Sequence, residues 1–369
     1  MTRYLAGRVV AGLVSLFLFV TAIFFAARWL IPRRREPGDL SATDEYFELL
    51  DGLVSGDFLN SEAMASLPWT LLILTFALGI AFPLGHWLGK VAGWKSGSAG
   101  SAGLTIGAVV MYTIFPPLLV FVLIMVVSRF TNDQGIGFLR TLYNEGGLSP
   151  DTGWSMLRTI AVVAAAAGLV ALAASRLDKA IPHPVWIVGL VGIPFLIWMR
   201  RGMWGEVSDI LLYLAMPITA VSILVVGEVL LVSKSTTAEA AHEDFVFTAR
   251  AKGVPDREVR DHHVARYAFL PMLSKLMVSI PFILVGLMIV EMAVAWPKFG
   301  VEGGGNLGTL GMTVPGMSST LFTSLENRDA ATVVEGLIAV GVVVLTFRLI
   351  LEVIQAFLDP RIRVGSREP

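Results

Sequence analysis

Eight stretches of this chain are long and apolar enough to decide what it can fold into. They cover residues 5–31, 67–89, 104–128, 155–175, 183–199, 208–232, 271–296 and 331–357. A helix that crosses a bilayer needs about 20 mostly apolar residues. Most of these runs are apolar on every face, as a helix solvated by lipid is. The run 183–199 is short and holds Pro184 and Pro194, so a tilted or re-entrant segment stays open there. Composition agrees: 55% of the 369 residues are hydrophobic and 15% are charged, against roughly 25% charged in a soluble domain. Too little polar side chain remains to cover a water-facing surface. The expected fold class is all-α, a polytopic bundle of membrane helices.

Charge and cysteine content remove several function classes. Basic and acidic residues number 28 and 29, so the basic excess of a nucleic-acid binder is missing. The chain has no cysteine, which excludes disulfides, Cys-ligated zinc, iron–sulfur clusters and thiol catalysis. Arg3 and Arg8 precede the first run as in a secretion signal. The apolar core, however, exceeds the usual length of about 7–15 residues and no small-residue cleavage motif follows. The first run is therefore expected to be a retained helix. Placing the N-terminus in the cytoplasm puts 15 Lys and Arg on inner segments and 9 on outer ones. The positive-inside bias thus favours cytoplasmic N- and C-termini, with Arg33–Arg35 as the main dissent.

The loops differ in character. Within the acidic stretch 36–66, Phe47, Leu50 and Val54 recur at helical spacing, which predicts a short amphipathic helix whose apolar face packs on the bundle. Residues 297–330 are rich in Gly, Ser and Thr and are expected to form an extended outer loop. The longest inner segment, 233–270, holds the most information. Ala238 to Lys252 lacks Pro and Gly and is rich in helix formers. Gly253 stands where a helix end wants positive φ, and Pro255 follows. Arg250 and Lys252 fall in the last turn, where a cation suits the helix dipole. A short helix ending at Gly253, a turn, and a second helix from Asp256 toward Pro271 are expected. Phe245, Thr248, Ala249 and Lys252 share one face of the first. On the residues alone, a lever held by two spans and a merely solvated basic loop stand equally.

The segment Asp244-Phe-Val-Phe-Thr-Ala-Arg-Ala-Lys-Gly253, with Leu270-Pro271 beyond it, resembles the EAA loop of ABC importer permeases. The similarity is greatest to the oligopeptide, dipeptide and nickel class. Three further blocks agree in order and spacing. Arg3-Tyr4-Leu5 with Pro37-Gly38-Asp39 resembles the family's first helix; Gly56-Asp57-Phe58 and Leu67-Pro68-Trp69-Thr70-Leu71 resemble its outer loop and second helix. Glu291, Trp296-Pro297, Asn327-Arg328-Asp329 and Leu358-Asp359-Pro360-Arg361-Ile362-Arg363 resemble its last third. The beginning is typical of the first of two permease subunits.

The resemblance implies a type I importer membrane domain with a six-span core, to which this chain adds a pair of spans. It divides the chain into a first helix and outer segment (1–66), spans two and three (67–130), an inserted region (131–207) and a permease core (208–369). Phe245, Thr248, Ala249, Arg250, Ala251, Lys252 and Gly253 would form a coupling helix docked on a separate ATPase subunit. The implied partners are two ATPase subunits that carry ATP and Mg, a second permease subunit in a heterodimer, an extracytoplasmic solute-binding protein, and membrane lipid. Peptides or similar small solutes would cross the cytoplasmic membrane. Phe247 stands where the wider EAA pattern has Glu, so an ion pair from that position is not available.

Other polar residues are weighed against plainer roles. His86, Glu228, Lys275, Glu291, Glu335, Arg348 and Glu352 lie in or near spans, where a central charge costs about 2.5–3.5 kcal/mol. Lys275 and Glu352 are expected to snorkel. Glu291 and Glu335 are expected either to line a translocation path or to pair at a subunit interface. His262 and His263 are adjacent and point to different helix faces, so with His242 they read as loop residues, not metal ligands. Gly303–Gly305 lack any phosphate-binding pattern, and none occurs elsewhere, so the chain itself is expected to bind no ATP or other cofactor and to have no catalytic residues. Two alternatives remain. An ion-coupled secondary transporter would show inverted repeats, and no convincing repeat is present. A polytopic membrane enzyme would gather His, Asp or Glu at one depth, and here they are scattered.

Overall fold

A computed structural model describes residues 2–30, 41–131, 149–176, 186, 188–295 and 316–358. Among these residues every regular element is helical. Helix α1 spans Thr2–Leu30, α2 Ala42–Ser55, α3 Glu62–Trp94, α4 Ala99–Thr113, α5 Pro116–Thr131 and α6 Pro150–Arg176. After a π-helical turn at Val188–Gly192 come α7 (Ile193–Arg200), α8 (Trp204–Ala240), α9 (Asp244–Ala251) and α10 (Ala265–Ala295). Helices α11 (Met317–Glu326) and α12 (Ala330–Leu358) complete the described set.

Among the described residues, six helices are long and apolar enough to cross a membrane: α1, α3, α6, α8, α10 and α12. The expected run at 104–128 is broken in the middle. It is the pair α4 and α5, bent by 105°. Pro116 and Pro117 cause the break, because a residue before proline avoids the α region and proline brings no N–H to the ladder. Ile114, two residues before Pro116, is extended, with ψ 134°. The expected run at 183–199 is reduced in the described residues to the short apolar piece Val188–Arg200. The eight expected spans thus become six long helices, one broken pair and one short helix.

The centre of the bundle is the pair α3 and α8. Ala77, Ala81, Gly85, Gly89 and Gly93 repeat every fourth residue along α3, and all are buried. A methyl group added at Gly89 would sit 2.6 Å from the Leu230 carbonyl oxygen; one added at Gly93 would sit 2.5 Å from that of Lys234. Small residues here let two backbones touch, the means by which helices associate in lipid without a hydrophobic driving force. Gly227, on another face of α8, meets α4 in the same way at Ala108 and Tyr112. Trp69, Leu72, Ile73, Tyr213, Leu214 and Leu287 fill the core and are almost wholly buried.

Polar contacts fix which helix ends meet. At one end, Gly153 lies against Pro68, Thr152 Oγ1 donates to Glu206 at 2.7 Å, and Thr70 reaches Glu291. At the other end, Ser101 Oγ donates to the Ala92 carbonyl at 2.8 Å and Lys90 pairs with Asp261 at 2.9 Å. α3 and α8 therefore run the same way, and α9 lies at the Lys90 end.

The amphipathic helix expected near 44–54 is α2. Ser41 caps it, accepting the Asp44 N–H at 3.2 Å. Its Tyr46, Leu49, Leu50 and Leu53 pack against Val20, Phe24 and Ala27 of α1, and Arg28 pairs with Glu45. Phe47, expected on the packed face, is instead 66% exposed. The expectation of one extended loop over 297–330 also needs correction, because α11 forms within it. Met317, Ser318, Leu321 and Ser324 of α11 are buried, so packing overrides the weak helix propensity of its Ser and Thr residues. The Arg33–Arg35 triplet, the glycine-rich stretch 297–315, the 132–148 connection and residues 359–363 lie outside the described residues.

Candidate functional site

The site begins where α8 stops. The expected helix over 238–252 is interrupted at Ala241–Glu243, where turns replace the ladder and the His242 N–H bonds to the Glu239 carbonyl. The reorientation carries Val246 of α9 against Ala240, Val259 and Val264, a small apolar cluster separate from the main core. Trp94, Phe245, Ala249 and Val254 pack around it. Tertiary burial thus outweighs the local preference for one continuous helix.

The C-terminus of α9 is built as the sequence predicts. Gly253 has φ +78°. Its N–H donates to the Arg250 carbonyl at 2.9 Å, and the Val254 N–H donates to that of Ala249 at 3.2 Å. These two bonds make a Schellman motif, and Ala249 and Val254 both pack against the same apolar cluster. The loop leaves in a fixed direction, and Pro255 continues it with extended backbone at ψ 140°.

The expected face of Phe245, Thr248, Ala249 and Lys252 is divided by the fold. Phe245 and Ala249 turn toward the chain's own cluster, and the Phe245 ring lies 5.6 Å from that of Tyr267. Arg250 is exposed but held: its guanidinium sits 5.0 Å from the centre of the Trp94 ring and pairs with Asp256 at 2.9 Å. The open side consists of Asp244, Phe247, Thr248, Arg250, Ala251, Lys252 and Gly253. Phe247, 77% exposed, is its largest apolar group. Helical periodicity passes over this residue, since it falls outside the inward stripe; an isolated aromatic on the polar side of a short helix is the signal that marks it.

Behind α9 the chain re-enters the bundle through a π-helical segment, Val259–Val264. Asp261 is its electrostatic centre. It accepts from Arg260 at 2.8 and 3.0 Å and pairs with Lys90 of α3 at 2.9 Å. One carboxylate thus ties the end of the α9 loop to the most buried helix pair. Such π segments inside helices often mark functional sites.

The two acidic residues singled out from the sequence lie at the opposite end. Glu291 is 1% exposed and enclosed by its own chain. It accepts from Thr70 Oγ1 at 2.7 Å and from the Ser318 N–H at 3.1 Å, while Thr70 Oγ1 accepts the Met317 N–H at 2.9 Å. The carboxylate therefore faces the N-terminus of α11, where helix dipole and free N–H groups offset its charge. Gly316 permits the approach, since a methyl group there would lie 2.5 Å from the carboxyl carbon. Glu335 is half-buried and stands beside Ser61, Glu62 and Asp329. His242, His262 and His263 are exposed or at the surface, and among the described residues no cluster of three metal-ligating side chains occurs.

Comparison with known proteins bears on this arrangement. Residues 81–364 match the family model described as "Binding-protein-dependent transport system inner membrane component". The chain belongs to this family. It includes α9, the π-helical junction, and the α3–α8 pair from Ala81 onward. The oligopeptide transport system permease protein OppB of Haemophilus influenzae is 26% identical over 177 residues, 48% of this chain and 51% of that protein. Its Salmonella typhimurium counterpart is 29% identical over 166 residues, 45% and 48% of the two chains. A putative peptide permease protein of Brucella ovis is 27% identical over 159 residues, 43% and 44%. The chain spans about half the length of the curated relatives it matches. The family's description makes it a component of a transport system in the inner membrane.

Proposed function

We propose that this chain is a transmembrane permease subunit of an ATP-driven importer. It moves peptides or similar small solutes delivered by a solute-binding protein. The observation that carries the reading is α9: a rigidly capped short helix, inside the family match, that projects Phe247, Thr248, Ala251 and Lys252 from the ends of two long helices. In this reading α9 docks in a groove of an ATPase subunit at the cytoplasmic face. Closure of the ATPase pair, which carries the ATP and Mg, moves α9; Asp261 and the Lys90 pair pass the movement to α3. That is a two-state element biased by a ligand bound elsewhere, which coupling requires. The chain itself catalyses no reaction.

The N- and C-termini are then cytoplasmic, and a second permease subunit completes a heterodimer. The names of the peptide-permease relatives support the cargo class. Co-purification tests the reading. A tagged chain expressed with its candidate ATPase subunits should bring them down from detergent extract in stoichiometric amount. Failure to do so under conditions where the chain is folded and membrane-inserted overturns it.

A further inference from the structure

The end of the bundle opposite α9 carries a cationic corner that the coupling reading does not use. It is built by α6, α7 and the start of α8, joined where Thr152 Oγ1 donates to Glu206 at 2.7 Å and Ser155 Oγ meets Met203 Sδ at 3.9 Å. Helix α7 buries Pro194 and Trp198 and leaves Phe195, Leu196, Met199 and Arg200 exposed. A Schellman motif fixes its end. The Gly202 N–H donates to the Met199 carbonyl and the Met203 N–H to that of Trp198, both at 3.1 Å, and Gly202 has φ +70°. Arg200 and Arg201, both exposed, therefore project from a defined turn. Arg158 joins them from α6, about one turn beyond Ser155. Thr152, Met156, Thr159 and Val163 form the buried stripe of α6, and exposed Arg158 lies away from it.

Arg158 stands roughly two turns into a helix long and apolar enough to cross the membrane. A cation at that depth on an outward face is stable when it reaches a polar group at the membrane surface. Among the described residues no carboxylate pairs with Arg158, Arg200 or Arg201. Arg158 Nε donates to the Trp154 carbonyl at 3.3 Å, and its remaining donors are open to a ligand. The planar guanidinium fork suits phosphate oxygens, which it can bind in bidentate fashion. The Phe195 and Trp204 rings meet edge-on at 4.7 Å beside the arginines, an aromatic setting found at headgroup level. Exposed Val162, Leu196 and Met199 continue the same helix faces with apolar surface. We propose that this corner binds the phosphate headgroup of an anionic phospholipid, with its acyl chains along α6 and α7. Lipid fits better than free phosphate because the same two helices carry both the cations and the exposed apolar side chains. The inference rests on this packing and is independent of the cargo.

Lipid retention tests it. The full chain is reconstituted into vesicles of equal parts palmitoyl-oleoyl phosphatidylglycerol and phosphatidylcholine and extracted in mild detergent. The lipids it keeps are then quantified by mass spectrometry. Wild type should retain phosphatidylglycerol over phosphatidylcholine by at least about fivefold. The triple variant Arg158→Gln, Arg200→Gln, Arg201→Gln should bring that ratio to within about twofold of unity. A second triple variant removes three exposed cations near α9 instead: Lys95→Gln, Arg257→Gln, Arg266→Gln. It should keep the wild-type ratio. Extraction with inorganic phosphate in place of chloride, at equal ionic strength, should leave the wild-type ratio unchanged. If the first triple variant does not fold, Arg158→Gln alone should at least halve the ratio. No enrichment in wild type, or equal enrichment in wild type and the variants of this corner, overturns the site. An equal loss in both triple variants shows diffuse attraction and overturns it too. Loss of the lipid to inorganic phosphate overturns the lipid assignment in favour of a free-anion site.

Discussion

Gly253 shows how one residue sets the direction of a functional element. Its φ of +78° is a conformation that side chains bearing a Cβ adopt at a cost of about 1–2 kcal/mol. Nothing crowds the position, so the demand is purely conformational. Gly253→Val should therefore leave the protein folded but unwind the last turn of α9 and loosen its docking. The expected result is ATPase activity of the assembled transporter that persists while ATP-driven uptake falls at least tenfold. Unchanged uptake would show that the fixed exit from α9 is not needed for coupling. Glu291 carries a different kind of load. Glu291→Ala leaves the Thr70 hydroxyl and the Ser318 N–H without their buried acceptor, at about 1–3 kcal/mol for each group left unsatisfied. The purified variant should unfold at lower temperature, and Glu291→Gln, which keeps an acceptor oxygen, should lose less. Equal stability of wild type and Glu291→Ala would refute the role assigned to the carboxylate in holding α11.

At the scale of elements, α3 and α8 depend on closeness. Gly89→Val would place side-chain atoms where the Leu230 carbonyl and the Ser233 Cβ already stand. Neither side can yield without moving a helix, so the variant should fail to accumulate in the membrane. Gly100→Val, at a position with open space, serves as the control and should accumulate normally. The junction behind α9 is open to a milder test. Asp261→Asn removes the pairing with Lys90 and Arg260 at a partly exposed site, where such pairs are worth about 1 kcal/mol or less. Thermal stability should scarcely change, while the ratio of solute moved to ATP hydrolysed should fall. An unchanged ratio would remove Asp261 from the coupling route.

The same elements show what the sequence makes legible. Long spans are visible because lipid demands one property over some twenty consecutive residues. The end of α9 is visible because Gly253 and Pro255 each state a backbone requirement. The α4–α5 break is hidden within an unbroken apolar run, although Pro116-Pro117 announces it. α11 is hidden because Ser and Thr are poor local evidence for a helix, and its order comes from Glu291 across the bundle. The inward turn of Phe245 and Ala249 depends on Val259 and Val264, which no local pattern links to α9. The four-residue repeat from Ala77 to Gly93 was open to detection from spacing alone.

For the whole molecule, the helices form a bundle whose two ends carry different chemistry. One end gathers α2, α11 and the buried Glu291; the other gathers Lys90, Lys234, Asp261 and the exposed side of α9. Between them run α3 and α8, whose backbones touch along several turns. In the proposed reading, a push on α9 would reach that pair through Asp261, which is paired with Lys90 of α3. The family match, which begins at Ala81 and runs to residue 364, covers α8, α9 and the π-helical junction.

The central claim is that α9 is the surface on which an ATPase subunit acts, and cysteine cross-linking reads it directly. In the cysteine-free background, Thr248→Cys or Ala251→Cys is paired with single cysteines along the candidate groove of the ATPase. The account predicts a cross-linked product from α9 whose yield changes at least threefold between nucleotide-free and ATP-bound states. Phe47→Cys, on exposed α2 at the opposite end of the bundle, should give none. A product that forms equally from Phe47→Cys, or no product from either α9 position in a transporter that is assembled and active, would contradict it.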